Sequence, residues 1–427
     1  MLFSHHLVLF VALSTQLLLS SCSAQPSIPS SRPLSAGMSS DMRAPQPFLT
    51  GAEVLVSNNS QLSILNSQFN SVAVVANQSS LVGDRHLVDT LLACGVHVTT
   101  IFCPEHGFRG NSEAGAKIKN STDTRTGLPI VSLYGKNKKP TPAQMDGIDA
   151  VVFDLQDVGC RFYTYISTLH YVMEACAERG IPCIVLDRPN PNCHYVDGPV
   201  LDTARYRSFI GMHPVPIVYG LTIGEYATMI NGEHWLKGGI QCDLTVVKMD
   251  GYRRDSIYAL PVAPSPNLQS RQSIALYPSL CLFEGTNISV GRGTDTPFEI
   301  IGAPGYKTRY AEKEPAPHII FTPHPIKGVS ENPPHKGKEC RGLNLRTVKA
   351  PAKFDLTFLL WMYRHTPHDT FFKGSNSFEL LAGTASLRKQ LQQGLGEAEI
   401  RASWEPALSN YKMIRKNYLL YPDVEQR

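Results

Sequence analysis

Three short stretches of this 427-residue chain bring acids, bases and cations close enough in sequence to do chemistry. The first reads Phe102-Cys-Pro-Glu-His-Gly-Phe-Arg-Gly110 and holds Glu105, His106 and Arg109. A carboxyl partly withdrawn from water keeps its proton, so Glu105 suits a general acid. Arg109 suits a two-pronged grip on a carboxylate. The same residues also read as a helix cap at Glu105 paired with Arg109. The second stretch, Asp154 to Tyr165, carries Asp157, Arg161 and Tyr163, donors set beside flat apolar faces that fit a sugar ring. Its plain alternative is an Asp157–Arg161 ion pair with packed tyrosines. The third, Phe283 to Glu299, has glycines on both sides of Arg292, which lets backbone approach a ligand, and Asn287 to orient a polar group. It reads equally as a glycine-rich hairpin.

The elements around these stretches decide whether they can meet. Val72–Ala76, Val96–Phe102, Ile130–Tyr134, Ile148–Leu155 and Ile184–Leu186 are short, continuously apolar runs. Between them lie helical patterns: one from Asp84 with Leu87, Val88, Leu91 and Leu92 on one face and a stop at Gly95, and one striped by Ile166, Leu169, Val172, Met173 and Cys176 before Gly180. Apolar strands alternating with amphipathic helices indicate an α/β fold whose parallel sheet is covered on both faces. Such sheets hold ligands beyond the C-terminal ends of their strands, which selects the loops 103–127, 156–165 and 187–199. From about 210 the pattern loosens, with helical patches at Thr222–Asn231 and Phe354–Tyr363 and a final helix from about Ser403. We read 49–209 as the parallel-sheet domain and 210–427 as a smaller α+β domain.

Composition narrows the function. Apolar residues make up 42% and charged residues 18%, an ordinary globular balance. Forty Lys and Arg against 36 Asp and Glu leave +4, with no basic cluster, so no nucleic-acid partner is expected. Ala76-Asn-Gln-Ser-Ser stands where a dinucleotide fingerprint would follow the first strand, and no phosphate loop, zinc-protease or nucleophile-elbow motif occurs. Neither cofactor nor metal is expected. Cys103 reads as a structural thiol at a strand end.

The N-terminus carries an address. Leu7–Leu19 is an apolar run too short to span a bilayer and suited to a signal segment, ending in Leu19-Ser20-Ser21-Cys22, a lipobox-like sequence. The signal segment with its lipobox spans residues 1–22, and Cys22 is the expected lipidated first residue after cleavage. Residues 23–48, rich in Ser and Pro, form a tether. The expectation is export and lipid anchoring in the bacterial cell envelope at the periplasmic face, or otherwise a periplasmic or secreted protein. The nine cysteines beyond Cys22 include no Cys-x-x-Cys and read as buried free thiols.

Taken together the motifs carry a resemblance. PEHGFRG, D-x-R-T-G-L-P-I-V-S-L-Y-G (123–135), V-F-D-L-Q-D-V-G-C-R-F-Y-T-Y-I (152–166), L-D-R-P-N-P-N (186–192), Y-P-S-L-C-L-F-E-G-T-N (277–287) and G-R-G-T-x-x-P-F-E (291–299) strongly resemble the NamZ family of exo-β-N-acetylmuramidases. The likeness runs from about Gly51 to Asp423. It implies a Rossmann-like domain followed by a smaller second domain, with the cleft between them as active site. It also implies release of terminal N-acetylmuramic acid from the non-reducing end of peptidoglycan fragments, so that the partners are MurNAc–GlcNAc saccharides. Glu105 is then the leading catalytic acid, with His106 beside it.

Glycoside hydrolysis ordinarily uses two carboxyl groups, and Asp157, Glu284 and Asp123 remain open as the second. Muramic acid carries a lactyl carboxylate, for which Arg109, Arg161 and Arg292 are the candidate forks. Two other readings stand beside this one: a non-catalytic muropeptide-binding protein using the same cleft, and a metal-assisted hydrolase built on His106 and Asp157.

Overall fold

The computed structural model describes residues 48–105, 107–108, 120–255, 258–307 and 313–423, all within one compact unit. Its centre is a seven-stranded sheet. In chain order the strands are β1 (Val72–Ala76), β2 (Val98–Cys103), β3 (Ser121–Thr122), β4 (Pro129–Ser132), β5 (Ala150–Asp154), β6 (Cys183–Leu186) and β7 (Leu244–Val247). Across the sheet they lie β3-β4-β2-β1-β5-β6-β7. All neighbours are parallel except the short β3, which runs antiparallel to β4. The parallel strands therefore follow the doubly wound order, and the direction of winding reverses between β1 and β5, where such sheets bind ligands.

Strand alternation sends side chains to two different cores. Val72, Val74 and Ala76 of β1 join Leu87, Val88 and Leu91 on one face, while Ala73 and Val75 join Ile166, Leu169 and Met173 on the other. Both faces are covered, as the continuous apolar runs require. The helix Leu87–Ala93 starts three residues after Asp84 because Arg85–His86 first pair with Leu81–Val82. His86 then caps it by accepting from the Val88 amide. The helix Tyr165–Arg179 ends at Gly180 (φ +66°), with the Ile181 amide on the Cys176 carbonyl at 3.1 Å, a left-handed stop that favours glycine.

β7 enters this sheet from within the stretch 210–427, so the parallel sheet takes its last strand from across that boundary. The later chain adds a three-stranded antiparallel sheet of β8 (Ile300–Ala303), β9 (His318–Phe321) and β10 (Cys340–Asn344), ordered β8-β10-β9. The last long helix spans Glu397–Arg415. It begins before Ser403 because buried Ile400 extends the stripe of Trp404, Leu408 and Tyr411 by one turn. These residues, with Phe283, Phe298, Phe354 and Phe378, share one core with the lower face of the sheet. The nine cysteines of the described residues are free thiols, eight of them buried. Cys22, the signal segment and nearly all of the tether lie outside the described residues.

Candidate active site

Glu105 is held between two anchors. Behind it β2 ends at buried Cys103. Ahead, Gly107 adopts φ +77° and returns its amide to the Pro104 carbonyl at 3.2 Å. Phe108 then drops into the upper core, its ring 4.6 Å from that of His86. The Gly107 amide on the Pro104 carbonyl thus closes a short turn at Glu105. Next door the Leu133 amide reaches the Cys103 carbonyl at 2.8 Å, tying the ends of β4 and β2 together and bringing Tyr134 alongside. The Tyr134 phenol faces Glu105. Thr164 Oγ1 donates to Glu105 Oε2 at 3.0 Å. Burial first, and then the Glu105 charge and hydrogen bond, push the Tyr134 phenol far above its ordinary range, so it stays a neutral donor.

These residues open onto a cavity of about 480 Å³. One wall comes from the strand ends: Glu105, Tyr134 and the run Phe162–Tyr165. The other comes from later chain and includes Tyr277, Glu284, Arg292 and Phe298. Arg292 reaches it from a tight turn. Gly291 (φ +78°) and Gly293 (φ +81°) flank it, and a Cβ on Gly293 would meet the His324 carbonyl at 2.6 Å. Arg292 Nε donates to Glu284 Oε1 at 2.6 Å and the guanidinium lies 5.2 Å from the Phe298 ring. Burial works against its charge, yet the Glu284 carboxylate more than offsets this and holds its pKa above the usual value.

Of the residues singled out in the sequence, the cavity gathers Glu105, Tyr163, Glu284 and Arg292. Tyr163 is 6% exposed, and its hydroxyl donates to the Pro264 carbonyl at 2.8 Å. Its role is as much to clamp the 263–268 loop, which supplies Ser265 and Leu268 to the wall, as to offer a flat face. Arg161 lies elsewhere. It has no exposed surface, and it donates to the carbonyls of Pro199 at 2.8 Å, Val215 at 2.9 Å and Leu381 at 2.9 Å. Burial lowers its pKa to about 9. It is a staple between distant segments rather than a fork for substrate, and it does not pair with Asp157.

Asp157 is buried as well, accepting from the Gly159 amide at 2.6 Å and from the Tyr219 hydroxyl, and burial pushes its carboxyl up to about 7. Asp123, also buried, accepts from the Thr126 hydroxyl at 2.8 Å and shapes a turn. Asn287 brackets loops, donating to the Thr370 carbonyl while its own carbonyl accepts from His335 Nε2 at 2.6 Å. Neither Asp157, Asp123 nor Asn287 lines the cavity. Among the three candidates for a second carboxylate, only Glu284 does. His106 and Arg109 lie outside the described residues.

The loop 187–199 also contributes no wall. Arg188 Nη2 pairs with Asp154 at 2.8 Å, and Asn190 and Asn192 donate to the carbonyls of Leu221 and Val158. This motif braces the strand ends. Sequence reasoning passed over Tyr134 and Thr164, although both stood in quoted motifs. Their signal was position, two residues past one strand and at the head of a helix. Cys103 is a buried free thiol, and burial raises its pKa to about 12. Among the described residues no three His, Cys, Asp or Glu side chains gather as a metal site.

Comparison with known proteins places this architecture. The N-terminal family description of exo-β-N-acetylmuramidase NamZ matches residues 72–272 and the C-terminal one residues 275–421. The chain is 41% identical over 339 residues to the peptidoglycan β-N-acetylmuramidase NamZ of Bacillus subtilis strain 168, covering 76% of this chain and 80% of that one. Two crystal structures of DUF1343 family proteins from Bacteroides fragilis NCTC 9343 are similar. One has TM-score 0.78 at 41% identity over 89% of this chain and all of the other. The second has TM-score 0.74 at 28% identity over 88% of this chain and 99% of the other. The fold, the ordered motifs and these matches together lead to one conclusion: the chain belongs to the NamZ family of exo-β-N-acetylmuramidases.

Proposed function

We propose that this protein is a glycoside hydrolase that releases the terminal N-acetylmuramic acid from the non-reducing end of peptidoglycan fragments, with Glu105 as the general acid. The observation that carries the reading is the placement of Glu105 and Arg292 in one cavity at the strand ends. Glu105 gives its proton to the glycosidic oxygen as its bond to the anomeric carbon breaks, so the next sugar departs as an alcohol; water's oxygen bonds to that carbon and its proton leaves to a carboxylate. Glu284 is the carboxylate available to the developing positive charge at that carbon. Arg292 keeps its Nη donors after Nε is taken by Glu284, and these suit the planar lactyl carboxylate that distinguishes muramic acid from glucosamine.

The test is release of free N-acetylmuramic acid from a MurNAc–GlcNAc disaccharide by the wild type beside Glu105→Gln, with and without EDTA. Release by the wild type alone, unchanged by chelator, supports the acid assignment. Binding of the disaccharide without release by either protein would instead indicate a muropeptide-binding protein. For location, the run Leu7–Leu19 before Cys22 supports export with a lipid on Cys22. Cys22→Ser should free the protein from the membrane fraction, and an unchanged membrane fraction would refute the anchor.

A further inference from the structure

We infer that Thr164, together with Tyr134, is a positioning residue for the Glu105 carboxyl, its hydroxyl diverted from capping a helix to holding the acid. The inference rests on the reading of Glu105 as the general acid.

Thr164 is the N-cap residue of the 15-residue helix Tyr165–Arg179. Threonine and serine are favoured there because the side-chain oxygen accepts from an otherwise unpartnered amide. This protein uses that device repeatedly. Thr50 accepts from the Glu53 amide, Thr141 from Gln144, Thr222 from Glu225 and Ser270 from Ser273, each with the reciprocal bond of a capping box. All four have extended backbone, with ψ of 160°, 157°, 167° and 159°.

Thr164 departs from this set. Its φ of −74° and ψ of −1° are helical, and its side chain makes no cap bond. The hydroxyl donates instead to Glu105 Oε2 at 3.0 Å. The residues on either side are committed differently. The Tyr163 and Tyr165 hydroxyls both reach the Pro264 carbonyl, at 2.8 Å and 3.4 Å. Tyr-Thr-Tyr is therefore an alternating device: its outer members clamp the 263–268 loop and its centre faces the acid across the strand ends. The Tyr134 phenol, just past the end of β4, faces the same carboxyl. A neutral hydroxyl donor orients the carboxyl by direction of the bond.

Among the described residues, the titratable groups facing Glu105 include Tyr134, Tyr163 and Tyr165. Glu284 and Arg292 share its cavity. The test uses the full chain and MurNAc–GlcNAc disaccharide. Thr164→Val keeps the shape and removes the donor. It should lower kcat about 10- to 100-fold with little change in KM. A hydroxyl donor favours the ionised carboxylate. Losing it should therefore move the alkaline limb of the kcat–pH profile to higher pH. Thr164→Ser should restore both kcat and the limb, and Tyr134→Phe should move the limb in the same direction as Thr164→Val. A folded Thr164→Val with wild-type kcat and profile, beside an inactive Glu105→Gln, would overturn the positioning role while leaving the acid assignment standing. An active Glu105→Gln would overturn both. Should Thr164→Val fail to fold, Tyr134→Phe decides by the same two readouts.

Discussion

The two glutamates of the cavity sit on opposite kinds of wall. Glu105 comes from the crest of the parallel sheet, takes a hydrogen bond from the Thr164 hydroxyl and is faced by the Tyr134 phenol. Glu284 comes from a later turn and is met by a guanidinium, with Arg292 Nε at 2.6 Å. A hydroxyl can donate to a carboxylate or accept from a carboxylic acid, so the first setting tolerates a proton that comes and goes. A guanidinium can only donate and is always charged, so the second setting pairs its glutamate with a fixed positive charge. The difference teaches a division of labour. On the proposed function, the sheet crest supplies the group that moves a proton, and the later chain supplies charge for recognition and for stabilising positive charge.

That division can be broken at its strongest point first. Glu105→Gln removes the proton donor and should cost about 10²- to 10⁴-fold in kcat while leaving the disaccharide bound, measured by initial rates and by calorimetry. Arg292→Met should come next. If the guanidinium reads the lactyl group, kcat/KM for the MurNAc substrate should drop about 100-fold, whereas the corresponding GlcNAc-terminated disaccharide should be nearly unaffected. An equal loss on both sugars would remove Arg292 from recognition. Glu284→Gln sharpens the same contrast. It frees Arg292 and removes a negative charge, so kcat should fall about tenfold or more without the change in sugar preference expected of Arg292→Met.

The smaller effects concern the frame. Tyr163→Phe deletes the hydroxyl that holds the Pro264 carbonyl and should lower stability by about 1 kcal/mol, read as a modest drop in Tm. Asp157 tests the supposed roles of buried acids. Its folded pKa of about 7 lies above the ordinary 3.8, so the folded state binds the extra proton between those values. The stability it contributes is present at low pH and is lost as pH rises from about 4 through about 7. Asp157→Asn should therefore gain stability relative to wild type on going from pH 5 to pH 8. A difference in Tm independent of pH would show that Asp157 does not titrate in this way.

Much of the fold was legible because its signals are local. Val72–Ala76 is buried on both sides and therefore reads as an uninterrupted apolar run, and it is a strand over those very residues. Gly180 marks its helix end because the left-handed backbone there is open to glycine. The site was legible in part. Glu105 and Tyr163 could be placed by the rule that ligands collect at strand ends. Asp157, Arg161 and Asn190 follow the same strands and obey the same rule, yet they are interior braces. Gly159 shows why: its φ of +77° lets the chain turn against the Asn190 side chain, so this part of the crest folds inward. No spacing in the sequence distinguishes a polar residue that turns outward from one that turns in.

By itself the sequence determined the α/β class, the strands and their punctuation, the loop that carries Glu105 and the family to which the chain belongs. These follow from periodicity, backbone preference and ordered motifs, all of which are properties of neighbours along the chain. Only the tertiary structure decided which acid would share a cavity with Glu105, that Arg161 would be a staple while Arg292 lines the cavity, and that the Thr164 hydroxyl would meet a carboxyl instead of capping its helix. Those outcomes depend on which surfaces meet across separations of tens to hundreds of residues, and burial there converts the same side chain from a ligand into a brace.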